Sequence, residues 1–165
     1  MLRTHFRLLA AFAAIAFLSG AVPAQDKVAQ FRDRFEQDTD PVRKAKDFQQ
    51  LGDAQIAEFA RAAAKDEYEN ALRHLSDYRE EAHTCFNGLN AAVADAEKHP
   101  DGFRQLQIHL RKGLWEIERT IPQIPEARRQ EFRTIHDDLA ELQSKLIHAL
   151  FPRDSSTKDK EKPRG

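Results

Sequence analysis

Glu80 and His83 stand three residues apart, the spacing at which a helix offers a carboxylate and an imidazole from one face to a metal ion. A carboxylate-bridged di-metal centre needs two such Glu-x-x-His pairs on facing helices, and the chain supplies one. Cys-x-x-Cys-His, which attaches haem covalently, is absent, and the single methionine is Met1, so His/Met haem ligation is excluded further along. His83 therefore reads as a histidine on a solvated or half-buried face. Cys85, two positions on, points about 200° around the helix axis from His83, so the two do not form a base and thiolate pair. As the only cysteine it can make no internal disulfide, and it reads as a small buried hydrophobe. The alternative is that Gly88 loosens the helix and exposes the thiol to oxidation or intermolecular pairing.

Asp137, Asp138 and Glu141 lie close to His136, and these are the residue types of general acid and base chemistry. The apolar periodicity of that segment puts the two aspartates on the flanks of its stripe and Glu141 on the polar face, the pattern of a solvated surface. His109 and His148 fall beside seam positions with no partner set by spacing. No Gly-rich phosphate loop, nucleophile elbow or zinc-protease motif occurs. The sequence thus assigns no catalytic, cofactor-binding or metal residue.

The binding signal lies elsewhere. Trp115 follows Leu114 but falls off the main stripe of its helix, with Ile108 one row away. Large apolar residues just outside a seam ordinarily widen the core; otherwise they offer an anchor to a partner, which makes Trp115 and Ile108 the candidate partner contact. Arg128, Arg129 and Arg133 form the one dense basic cluster, and the interspersed Glu126 and Glu131 read as its ion-pair partners.

The elements that carry these residues are helices. Val28, Phe31 and Phe35 recur at spacings of three and four, predicting a short amphipathic helix or linker over 25–40 that Asp38-Thr39-Asp40-Pro41 ends. Asp40 and Pro41 also start the next helix, an acidic cap followed by proline at the first helical position. It runs to about Lys65 with Val42, Ala45, Phe48, Ile56, Phe59 and Ala63 inward. From Asp66 to about Lys98 a seam of Tyr68, Ala71, Leu75, Tyr78, Ala82, Cys85, Leu89, Ala92 and Ala96 keeps alternating spacings of three and four, a bundle signature with an expected kink or fraying at Asn87-Gly88. After the turn His99-Pro100-Asp101-Gly102, Phe103, Leu106, Leu110, Leu114, Ile117 and Ile121 share one stripe. Beyond Pro122 and Pro125, Phe132, Ile135, Leu139, Leu142, Leu146 and Leu150 share another.

Residues 1–24 read as a cleavable signal peptide: Arg3 and Arg7, an apolar run from Leu8 to Leu18, then Ala21-Val22-Pro23-Ala24 before the cut. That run is shorter than the roughly 20 apolar residues of a transmembrane helix. No cysteine follows the cut to carry a lipid. Of the 165 residues 32% are charged, yet the formal net charge is only −1, and loss of Arg3 and Arg7 takes it to −3. A mildly acidic chain is a poor nucleic-acid binder. The segment 152–165 is rich in Lys, Asp and Ser and is expected to be a disordered charged tail.

Phe48-x2-Leu51-Gly52 followed by Ala64-x3-Tyr68-x2-Ala71-Leu72 resembles one tetratricopeptide repeat hairpin, over about residues 45–76. In that family Leu and Gly of the first helix admit the second, whose Ala, aromatic and Ala interlock with it. Gln55 replaces the usual aromatic, the closing proline is absent, and no second copy follows at the family's period, so the resemblance implies a tight hairpin rather than a solenoid.

Together these features predict an all-α fold: an antiparallel up-down bundle of four long helices spanning 41–151. They predict an exported, periplasmic or extracellular, non-enzymatic protein that works through protein contacts or self-association, without cofactor, nucleic acid or stable membrane insertion. Two alternatives stand beside it: a ligand- or metal-binding bundle using Glu80, His83, His109 or His136, and a periplasmic chaperone-like protein, for which no Leu-Thr-x-x-Gln motif is present.

Overall fold

A computed structural model describes residues 24–93 and 95–152. The signal-peptide region, apart from Ala24, and the charged tail from Arg153 lie outside them. The described fold is all-helical, with α1 (Ala24–Gln37), α2 (Pro41–Ala63), α3 (Tyr68–Ala92), α4 (Asp101–Thr120) and α5 (Arg129–Leu150). Two short 3-10 turns, Ile121–Gln123 and Glu126–Arg128, carry the chain from α4 to α5 around Pro122 and Pro125.

Each boundary has a local cause. Asp40 caps α2 by accepting the Arg43 N–H at 2.8 Å, and Pro41 occupies the first helical position, where its missing N–H costs nothing. After α2 the chain reverses through Asp66 at φ 60°, the left-handed region that aspartate tolerates, while the Glu67 N–H closes back on the Ala62 carbonyl at 2.9 Å.

α3 departs from the sequence expectation in two ways. It passes through Asn87-Gly88 without a break. A mid-helix glycine costs about 1 kcal/mol, less than burying Cys85 and Leu89 on either side of it returns. The helix then stops at Ala92 rather than near Lys98: Val93 is extended, and the Asp95 carboxylate accepts the N–H groups of both Glu97 and Lys98 at 3.1 Å. That local turn competes with helix for the same donors. Ala92 is consequently exposed rather than on the seam, and Ala96 reaches the core from the turn.

α2 is the central element, packed along α3 and α4, with α1 laid on it; α5 closes against α4 and α3. Phe48, Phe59, Tyr78, Leu110, Ile117 and Leu139 are fully buried between them. α1 is held by Val28 and Phe35, both buried, and by Arg32, whose guanidinium reaches Asp77 at 2.7 Å and Glu81 at 3.1 Å on α3. Val42, expected inward, is instead 37% exposed at the start of α2, where it borders an open recess with Ala92, Val93 and His99 at the α3–α4 connection.

Candidate functional site

The residues whose types suggest catalysis or metal binding are drawn apart by the fold. His83 faces α5, where its Nε2 lies 2.7 Å from an Asp138 oxygen; Arg79 approaches the same carboxylate at 3.9 Å. Glu80 points into solvent. His136 is engaged by Glu118 of α4 at 3.2 Å and by its neighbour Asp137 at 3.1 Å, Glu141 pairs with Lys145 along the helix, and His148 is exposed. Among the described residues no three His, Cys, Asp or Glu side chains converge where they could hold a metal ion. The Cys85 thiol is buried against the core, and burial pushes its pKa up, which suppresses the thiolate. Gly88 therefore does not expose it.

The basic cluster forms an ion-pair network that is wider than its own segment. Arg129 and Arg133 both meet Glu126, while Arg128 crosses to Glu69 of α3 at 2.5 Å. Arg129 also donates to the carbonyls of Ile124 at 2.6 Å and Pro122 at 3.0 Å, tying the α4–α5 connection together.

Two polar groupings in the interior escape sequence reasoning. In the first, Tyr78 and His109 pack with Phe48, ring centroids 5.1–5.7 Å apart. A methyl group at Gly52 would clash with the His109 Nε2, and one at Gly113 with the Tyr78 hydroxyl, so both glycines exist to let these rings in. Neither the hydroxyl nor that Nε2 has a hydrogen-bond partner among the described residues. Burial holds the imidazole near pKa 4, only partly offset by Asp53, 3.8 Å from Nδ1; Lys112, paired to Asp53 at 2.9 Å, lowers it further. The signal that could have found the group is a glycine inside each of two otherwise regular helices, which marks close approach.

The second grouping lies beneath α1. Gln55 and Glu58 of α2 and His74 of α3 are buried, and Gln55 donates to Glu81 at 2.5 Å while Arg32 holds the same carboxylate. Burial raises the Glu81 pKa against the opposing pull of Gln55 and Arg32. Beside it an open recess of about 440 Å³ is lined by charges of both signs, among them Lys44, Asp77 and Glu80. Arg32, Asp77, Glu81 and Gln55 pair here and clamp α1, while the Gln55 Oε1 and the His74 Nδ1 are buried without a hydrogen-bond partner among the described residues.

The outward face of α4 differs in kind. Leu106, Leu110, Leu114 and Ile117 fill the core arc of this helix, and Lys112 and Glu118 reach sideways to Asp53 of α2 and His136 of α5. Trp115 lies about 140° around the axis from Leu110. It is 53% exposed and Ile108 48% exposed, so the ordinary core-widening use of these residues is corrected: the neighbours of α4 fill its inner arc and leave the opposite one uncovered. Arg104, Arg111 and Arg119 are exposed on the same arc, at spacings that alternate with Ile108 and Trp115. The Arg119 guanidinium stacks over the indole at 4.5 Å. Among the described residues, neither Arg104 nor Arg111 lies within ion-pair distance of a carboxylate. The strip Arg104, Ile108, Arg111, Trp115 and Arg119 is thus a row of large apolar and cationic groups facing solvent.

Compared with family profiles, with curated proteins and with solved structures, the chain matches none. No described helix is long and apolar enough to cross a membrane.

Proposed function

We infer that this is an exported, non-enzymatic protein, an up-down bundle of the four long helices α2 to α5 with α1 laid across it, that acts by binding another protein. The observation that carries the reading is the outer face of α4, where the one tryptophan of the chain and Ile108 stand in solvent among arginines. Tryptophan and arginine are the residues that most often dominate binding energy at protein interfaces. Several titratable groups agree with it: Arg32, His83, Glu118 and Arg128 pair neighbouring helices, and Cys85, Tyr78 and His109 are buried in the core. Export rests on the signal-peptide pattern of residues 1–24, which makes the site of action the periplasm or the cell exterior.

The test is crosslinking and capture from the native cell envelope, with Trp115→Ala and Ile108→Ala as controls. The reading expects defined partners that both variants lose while remaining folded. Retention of every partner by the folded variants would remove the α4 face from the account.

A further inference from the structure

We propose that the outer strip of α4 seats an acidic amphipathic helix of the partner; this rests on the reading above and adds the partner's chemistry. Ile108 and Trp115 are seven residues apart, so they stand on one line about 10 Å apart along the axis. Arg104, Arg111 and Arg119 alternate with them at spacings of four and three. This is the pattern with which one helix receives another: apolar side chains down the middle, charges alongside that select the partner. Asp101 and Glu118 flank the strip and Glu116 lies 3.9 Å from Arg119, but Arg104 and Arg111 have no carboxylate within ion-pair reach among the described residues. A complementary surface must therefore supply carboxylates flanking apolar residues that repeat every seven.

Two other occupants fit less well. A second copy of this chain, meeting the strip antiparallel about a two-fold axis with Ile108 on Trp115, would set Arg104 against Arg119 and Arg111 against Lys112, and like charges in register oppose association. An anionic membrane would have to take the indole into the acyl boundary, yet the Arg119 guanidinium is stacked on that ring and the exposed acids Asp101 and Glu118 sit at the strip's margins. A partner helix keeps the stacked arginine at the interface rim, where beyond its 3.9 Å approach to Glu116 the guanidinium can bind a further carboxylate.

Trp115 is the only tryptophan, so its emission reports the strip directly. The full chain is titrated with a synthetic helical peptide carrying leucines seven residues apart flanked by glutamates, with its lysine analogue, and with phosphatidylglycerol vesicles. The proposal expects a saturable blue shift with the glutamate peptide and none with the other two. Arg104→Glu with Arg111→Glu should weaken that binding at least about tenfold with an unchanged circular dichroism spectrum. No response to the glutamate peptide, an equal response to both peptides, a shift with vesicles alone, or indifference to the charge reversal overturns it. If the peptide fails while native crosslinks still depend on Trp115, the acidic chemistry falls and the contact face stands; if the crosslinks are also indifferent to Trp115, both fall.

Discussion

The His109 imidazole sits against Phe48 and Tyr78 with one nitrogen unpartnered, and the folded chain resists protonating it down to about pH 4. An unfolded histidine takes up that proton near pH 6.5. Between these values the unfolded state binds the proton and the folded state does not, so stability is complete above about pH 6.5 and falls as the pH drops toward 4, by on the order of 3 kcal/mol. His74 pulls in the same direction, its pKa lowered by burial. Urea titrations at pH 7 and pH 4.5 should show His109→Gln losing less stability on acidification than the parent chain. The Tyr78 hydroxyl is a second such case: fully buried and unpartnered, it contributes nothing that Phe would forfeit. Tyr78→Phe should be neutral or stabilising by up to about 1 kcal/mol. Gly113→Ala should cost about 1–3 kcal/mol, because its methyl meets that hydroxyl, and the double variant should recover part of the loss in thermal melts. None of this was legible from spacing, since His109 and Tyr78 are brought together only by the packing of α3 against α4. The exposed Trp115 was legible as an off-stripe residue, but its side of the interface depended on which neighbours cover α4.

At the scale of the elements, period and capping signals located all five helices, since each stripe of large apolar residues is long enough to dominate its segment. Asp40-Pro41 and the prolines at 122 and 125 place their boundaries as their local chemistry requires. The errors fall where two weak signals compete. Ala92 and Ala96 continued the phase of the α3 seam, but alanines bury too little surface to hold a helix against the Asp95 turn. Asn87-Gly88 reads as a site of kinking or fraying on composition alone, but the residues buried on either side carry the helix through it. A Cβ at Gly88 would meet only the Pro41 side chain at 3.7 Å, ordinary contact. Gly88→Ala should therefore raise stability by roughly 0.5–1 kcal/mol, read as a higher denaturation midpoint at unchanged slope. Gly52→Ala, with its methyl driven into His109 and Tyr78, should lower it. The contrast separates a glycine the fold needs from one it tolerates.

Among the described residues, polar side chains are buried or join one helix to another at several places, and the outer face of α4 carries exposed Ile108 and Trp115 beside Arg104 and Arg111, which have no ion-pair partner there; Ile147 and Phe151 are exposed at the far end of α5. Arg32, Asp77, Glu81 and Gln55 clamp α1, His83 and Asp138 join α3 to α5, and Glu118 and His136 join α5 to α4. Each of these contacts explains a titratable group by the helices it joins. Among the described residues, the α4 strip pairs with no other helix; its one ion pair, Arg119 with Glu116, lies within α4. We propose that the strip's role is contact with another protein, through α4 rather than any other face. The most direct measurement replaces Trp115 by a photo-crosslinking amino acid and, in parallel, Asp33 on the exposed side of α1, and compares the adducts formed in the native cell envelope. The account predicts a discrete partner adduct from position 115, absent from position 33 and diminished by Arg111→Glu. Adducts of equal yield from both positions, or none from 115 in a folded protein, would contradict it.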